Sequence, residues 1–194
     1  MELRPDYPVT TERLLLRPPG FGDVDDMLSY RGRADVTRFL PFGPMDAHSL
    51  GTRLRGDYAR THLDDEGQFL TLVAERRSDG RVIGDVVLFL RSVEHRGGEL
   101  GYVFHPEVAG QGYAFEASSA LLALAFEELG LHRVIARLDG RNEPSARLAA
   151  RLGLRREAVF RQNERWDGEW ADEWVYALLE SEWPDSPARR SLTR

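Results

Sequence analysis

The chain has 194 residues, 42% hydrophobic and 30% charged, with a formal net charge of −6, no cysteine and, since all 26 Lys+Arg positions are arginine, no lysine. Disulfide frameworks, thiolate metal sites, cysteine nucleophiles and Schiff-base lysines are therefore excluded. The length supports one domain with a real core, no apolar run approaches the roughly 20 residues that span a membrane, and the acidic balance leaves no basic excess for nucleic acid.

In chain order, the opening MELRPDYPVT lacks the apolar stretch of a secretory signal, and the expected location is cytoplasmic. Residues 13–17 (RLLLR) read as a strand stopped by Pro18, Pro19 and Gly20. Asp23 is placed to cap a short helix carrying Met27 and Leu28. The proline-bounded aromatic stretch 39–44 (FLPFGP) reads as a loop, after which Asp46 opens a helix to about His62. Residues 69–75 and 82–90 predict a hairpin around Ser78, Asp79 and Gly80, and 99–105 a further strand. Helical length follows over 115–129, with Leu122, Ala125, Phe126 and Leu129 on one stripe and Gly130 as the stop. Next come a strand over 132–138 and a helix from Asn142 to Gly153, with Pro144 in its first turn. Strands over 154–164 and 170–179 flank a turn at Asp167 and Gly168. The order predicts a mixed α/β domain over residues 1–183 built on one central sheet, followed by a disordered tail over 184–194.

Residues 109–116, AGQGYAFE, stand between the strand that ends at Pro106 and the long helix. Glycine there serves either a turn that needs positive φ or close approach of an anion to the open N–H groups of a helix N-terminus. The P-loop lysine and a GxGxxG with a following acidic residue are both missing.

This stretch resembles the acyl-coenzyme A loop of the GNAT N-acetyltransferases, [Arg/Gln]-x-x-Gly-x-[Gly/Ala], with Ala109 in place of the leading basic or amide residue. The resemblance to the ribosomal-protein alanine N-acetyltransferase-like branch (RimJ/RimL type) runs over nearly the whole chain. TERLLLR over 11–17 looks like its first strand, and 39–44 like its substrate-side loop. Glu99, Leu100, Gly101 and Tyr102 look like the strand that pairs with acyl-CoA. NEPS over 142–145, ending in RLGL, and DGEWADE over 167–173 look like its later helix and its closing hairpin. The resemblance implies a single-domain GNAT fold, a mixed but mostly antiparallel sheet of about seven strands flanked by about four helices. It also implies acetyl-CoA as co-substrate, an amine acceptor (a protein N-terminal α-amine or a small molecule), no metal, and a homodimer as an expected partner.

Transfer of an acetyl group from a thioester to an amine needs a neutral amine, a polarised carbonyl, a proton for the departing sulfur and alignment. The resemblance assigns the pyrophosphate to the backbone N–H groups of Gly110, Gln111, Gly112, Tyr113 and Ala114. It assigns the acyl arm to the strand through Tyr102 and Val103, where Gly101 would ease a distortion. Ser145 is the candidate acid near the sulfur, or else a residue bonding an open N–H of the first helical turn. Asn142 is an N-cap that can also reach the coenzyme arm. Glu99 is the candidate base, with His105 its rival and a solvated strand-end carboxylate the alternative. Among the aromatic residues Tyr102, Phe104, Trp166, Trp170 and Trp174, alternation places most in the core or on a sheet face. Phe42 and Trp170 are the acceptor-side candidates. The histidines show no metal-ligand spacing. Competing readings are a small-molecule acceptor such as an aminoglycoside, and a coenzyme-binding sensor without turnover.

Overall fold

Alternation is the local rule that builds the sheet: in Val82–Ser92 (β4), Val86, Leu88 and Leu90 turn to one face while Asp85, Val87 and Phe89 turn to the other. The computed structural model describes residues 1–166 and 168–192, with Trp166 as backbone alone. The strands are Val9–Thr10 (β1), Leu14–Arg17 (β2), Phe69–Arg76 (β3), β4, Gly97–Phe104 (β5), Arg133–Asp139 (β6), Arg155–Trp166 (β7) and Glu169–Leu179 (β8). They form one eight-stranded sheet in the order β1-β2-β3-β4-β5-β6-β8-β7. Among the described residues every neighbouring pair is antiparallel except β5 with β6.

Helices Val24–Arg31 (α1), Ala34–Thr37 (α2) and Ala47–Arg55 (α3) precede the hairpin. Tyr113–Ala123 (α4) connects β5 to β6, Glu143–Leu152 (α5) connects β6 to β7, and Pro187–Ser191 (α6) follows β8. One core lies under α4 and α5, where Leu100, Leu121, Val134 and Leu152 meet. The other lies under α1 and α3, where Met27, Leu50, Val73 and Val103 meet. Each face buries one parity of the same strands.

The eighth strand is β1, whose two residues after Pro8 are too short for a periodic signal. The helix opened by Asp46 ends at Arg55 and passes through Gly56 into a short 3-10 turn, Asp57–Ala59. The long helix changes at Leu124 into a π turn, Leu124–Glu128. Asp23 stands at the N-cap of α1 but gives it no side-chain bond: its carboxylate accepts from Gly20 N–H at 2.7 Å, closing the preceding 3-10 turn Phe21–Asp23, and from both Arg17 Nη atoms at 2.8 Å. The segment from 184 onward, expected as a disordered tail, contains α6. Trp183 stacks on Phe126 at 5.3 Å and donates to Glu127, and Ser186 Oγ caps α6. Gly168 turns at φ 83°, as the hairpin requires, while Asp167, Thr193 and Arg194 lie outside the described residues. Among the described residues no helix is long and apolar enough to cross a membrane.

Candidate active site

The parallel pairing of β5 with β6 lasts three residues, from Gly97↔Arg133 to Glu99↔Ile135, after which the two strands part. His105 N–H bonds Ile83 C=O at 2.8 Å in register with the β4–β5 ladder. By antiparallel alternation, Val103, Gly101 and Glu99 bond β4; the Leu100 N–H closes the last parallel bridge on the Ile135 carbonyl, so the Leu100 C=O and both backbone groups of Tyr102 face the opening. A fork therefore exposes a strand edge inside the molecule. Gly101 takes no part in any distortion. It pairs with Val87 in unbroken register, and a Cβ there would come within 2.7 Å of Val87 Cγ1.

At the far end of the fork stands the glycine stretch. Gly110 and Gly112 have φ of 75° and 85°, and Gly112 is the N-cap of α4. The N–H groups of Tyr113, Ala114 and Phe115 head the helix, where none has an intrahelical partner. Gln111 departs from its assignment, because its N–H is spent on the Val108 carbonyl at 3.3 Å. A Cβ at Gly110 would meet nothing within 4 Å, so the loop faces open space. Positive-φ glycines, open amides and a helix dipole fit an anionic group.

Beside the fork, Asn142 Oδ1 accepts from Ser145 N–H at 3.2 Å and caps α5, leaving its amide NH2 for other partners. Ser145 Oγ does not bond a first-turn N–H. It donates to the Tyr102 hydroxyl at 3.1 Å, which in turn donates to the Ser145 carbonyl at 3.0 Å. Burial pushes the Tyr102 phenol up to about 12, with the Ser145 bond opposing the shift and Tyr176 adding to it. Tyr102 thus stays protonated through the neutral range.

A cavity of about 320 Å³ joins these groups to the opposite sheet face, with Glu99, Gly101, Tyr102, Val103, Asn142, Ser145 and Phe42 in its wall. Glu99, the last paired residue of the fork, ion-pairs with Arg91 at 2.9 Å and is largely shielded. Across the opening Arg137 pairs with Glu173 and, at 3.2 Å, with Glu164. A row of charge therefore crosses the sheet, alternating from Arg91 on β4 through Glu99 and Arg137 to Glu173 on β8 and ending on a second carboxylate, Glu164, on β7. Beneath it Arg31 and Asp85 form a buried pair, completed by the Tyr30 hydroxyl at 2.8 Å. Leu40, Pro41, Phe42 and Glu164 also line a second, outer cleft of about 730 Å³ between the 39–44 loop and the β7–β8 hairpin.

Two candidates stand apart from this cluster. Trp170 is 61% exposed and outside the cavity wall. His105 is buried, and its Nδ1 accepts from Glu107 N–H at 3.1 Å, capping the 3-10 turn Pro106–Val108. Phe104 and Trp174 pack against the core. Sequence reading passed over Arg137, Glu173 and Arg91, since charged residues at alternate strand positions look like an ordinary solvated face. Among the described residues no cluster of His, Cys, Asp and Glu is placed to hold a metal ion.

A family model described as an acetyltransferase (GNAT) domain matches residues 13–155. An uncharacterized N-acetyltransferase, YnaD, of Bacillus subtilis strain 168 is 35% identical over 178 residues, covering 90% of this chain and 98% of its own. The structure of a GNAT-family acetyltransferase from Bacillus anthracis is 30% identical with a TM-score of 0.80, over 94% of this chain and 100% of that one. RimJ of Mycobacterium smegmatis, solved in complex with CoA-disulfide, is 25% identical with a TM-score of 0.80, over 100% and 92% of the two chains.

Proposed function

Because the chain belongs to the GNAT acetyltransferase family, we propose that this acyl-CoA-dependent N-acetyltransferase moves an acetyl group from acetyl-CoA directly to the α-amine of a peptide or protein N-terminus, within a ternary complex. The observation that carries this reading is the fork: open helix-terminal amides stand at one end, and a cavity holding a proton-donor pair and a carboxylate at the other. The related RimJ with CoA-disulfide supports a coenzyme in such a cleft.

Acetyl-CoA supplies an activated thioester; the remaining work falls to the chain. The N–H groups of Gly112, Tyr113 and Ala114 take the pyrophosphate. The free strand edge at Leu100 and Tyr102 aligns the acyl arm and polarises the carbonyl. Ser145, hydrogen-bonded to the protonated Tyr102, is the proton source on the sulfur side. Asn142 holds that serine in place and presents its amide NH2 to the coenzyme arm. Glu99, held by its ion pair with Arg91, receives the amine proton through water. An α-amine with pKa near ~7.7–8 keeps a sizeable neutral fraction near pH 7 and asks little of that base.

The outer cleft favours an extended acceptor over a compact amine, because it adjoins the cavity at Leu40, Pro41, Phe42 and Glu164. Thiol release from acetyl-CoA, measured against N-terminal peptides, polyamines and aminoglycosides, tests this. Peptides are expected to give the highest kcat/KM. Faster turnover of a compact amine would replace the acceptor, and tight coenzyme binding without turnover on any amine would mark a sensor.

A further inference from the structure

The coenzyme loop lacks a basic residue at its first position, Ala109, yet a guanidinium stands against it from the other end of the chain. Arg13, just ahead of β2, donates from Nη1 to the Gln111 carbonyl at 3.0 Å. Its Cζ lies 4.4 Å from the Tyr113 ring centroid, and its Nη2 lies 3.4 Å from where a Gly112 Cβ would stand. Glu116, one turn into α4, fixes the arginine by accepting from its Nε and its backbone N–H, each at 2.7 Å. Thr11 Oγ1 donates to the same carboxylate at 2.6 Å.

The C=O and N–H of one peptide unit point in opposite directions. A bond from Arg13 to the Gln111 carbonyl therefore turns the Gly112 N–H away from Arg13, toward the open side of the loop. Gln111 is held on its other groups too, its N–H by Val108 and its side-chain amide by Glu107 C=O at 2.8 Å. The loop is thus braced from behind, and the N–H groups left over are those that head α4. We propose that Arg13 is the positioning residue of the pyrophosphate loop, orienting the Gln111–Gly112 peptide from behind while neutralising Glu116. This rests on the coenzyme reading above, and it explains why Glu116 sits where it would otherwise repel an anion: its charge is consumed by Arg13.

The test compares wild type, Arg13→Gln and Arg13→Lys with two donors, acetyl-CoA and S-acetylpantetheine, which lacks the pyrophosphate. For Arg13→Gln, KM for acetyl-CoA is expected to rise about tenfold, the worth of one charge-assisted contact. Its kcat, and its KM for S-acetylpantetheine, should stay near wild type. Arg13→Lys restores the charge without the flat fork and should recover part of the loss. An equal rise with both donors, or none with either, overturns the assignment. If Arg13→Gln fails to fold, the same donor comparison on Arg13→Lys decides it. If the wild type binds neither CoA nor acetyl-CoA, the coenzyme reading falls and this one with it, an outcome visible before any variant is made.

Discussion

Gly112 offers the sharpest test of the anion cradle, because shape and charge can be varied separately there. Its φ of 85° lies in the left-handed region, and a Cβ would touch Arg13 Nη2 at 3.4 Å, ordinary contact with a flexible side chain. Gly112→Asn should therefore suffer mainly backbone strain, about 1–2 kcal/mol or less, since asparagine tolerates that region better than most residues. Gly112→Asp has nearly the same shape but adds a carboxylate at the loop. At ~5 Å and an effective dielectric of ~20, two like unit charges repel by about 3 kcal/mol, roughly a hundredfold in affinity. Calorimetric titration with CoA at low salt should give Kd values for the two variants about two orders of magnitude apart. The gap should narrow as salt screens it. Equal affinities in the two variants would mean that no anion approaches this loop, and the assignment of Gly112, Tyr113 and Ala114 would go with it.

Ser145→Ala removes the hydroxyl that bonds Tyr102 and should lower kcat about tenfold or more while leaving KM for acetyl-CoA nearly unchanged. Steady-state kinetics in which neither parameter moves would reduce Ser145 to a helix-start residue. Asp85→Asn strips the counter-ion from Arg31, which is 3% exposed, and should destabilise the fold by about 3–5 kcal/mol in urea titration. At Asp23 burial pushes the carboxyl up, but the Arg17 and Gly20 hydrogen bonds outweigh it and hold the pKa below its ordinary value. A depressed carboxyl contributes stability above its unfolded pKa, near ~3.9, and loses it as pH falls through the lower folded value. The stability difference between wild type and Asp23→Asn should accordingly be full at neutral pH and shrink below about pH 4, as read by denaturant midpoints across pH.

Local periodicity made much of this architecture legible. The hairpin of β3 and β4 follows from alternation around Ser78, Asp79 and Gly80, and α5 from Asn142, Pro144 and Gly153. These signals are short-range, so a single window contains them. Where the chain fell short of expectation, the reason was length or partnership. β1 has two residues, and the segment past Pro184 contains α6, reached after Trp183 stacks on Phe126 across the fold. The loop at Gly110 and Gly112 was readable as a cradle, but Gln111 was not separable from its neighbours, because its N–H goes to a carbonyl that only the folded turn brings near.

What the sequence alone determined was the alphabet of the chemistry. No cysteine or lysine is available to carry an acyl group, a glycine loop precedes a helix, and an Asn-x-x-Ser opens another. Tertiary structure decided which of these groups meet. The parting of β5 from β6 after Glu99 puts a free strand edge beside Tyr102 and Ser145, residues 43 apart in the chain. Arg13 reaches the coenzyme loop from 98 residues away. Neither is written in any local pattern, because a charged or hydroxyl side chain looks the same in sequence whether it meets solvent or the one partner that the folded chain delivers.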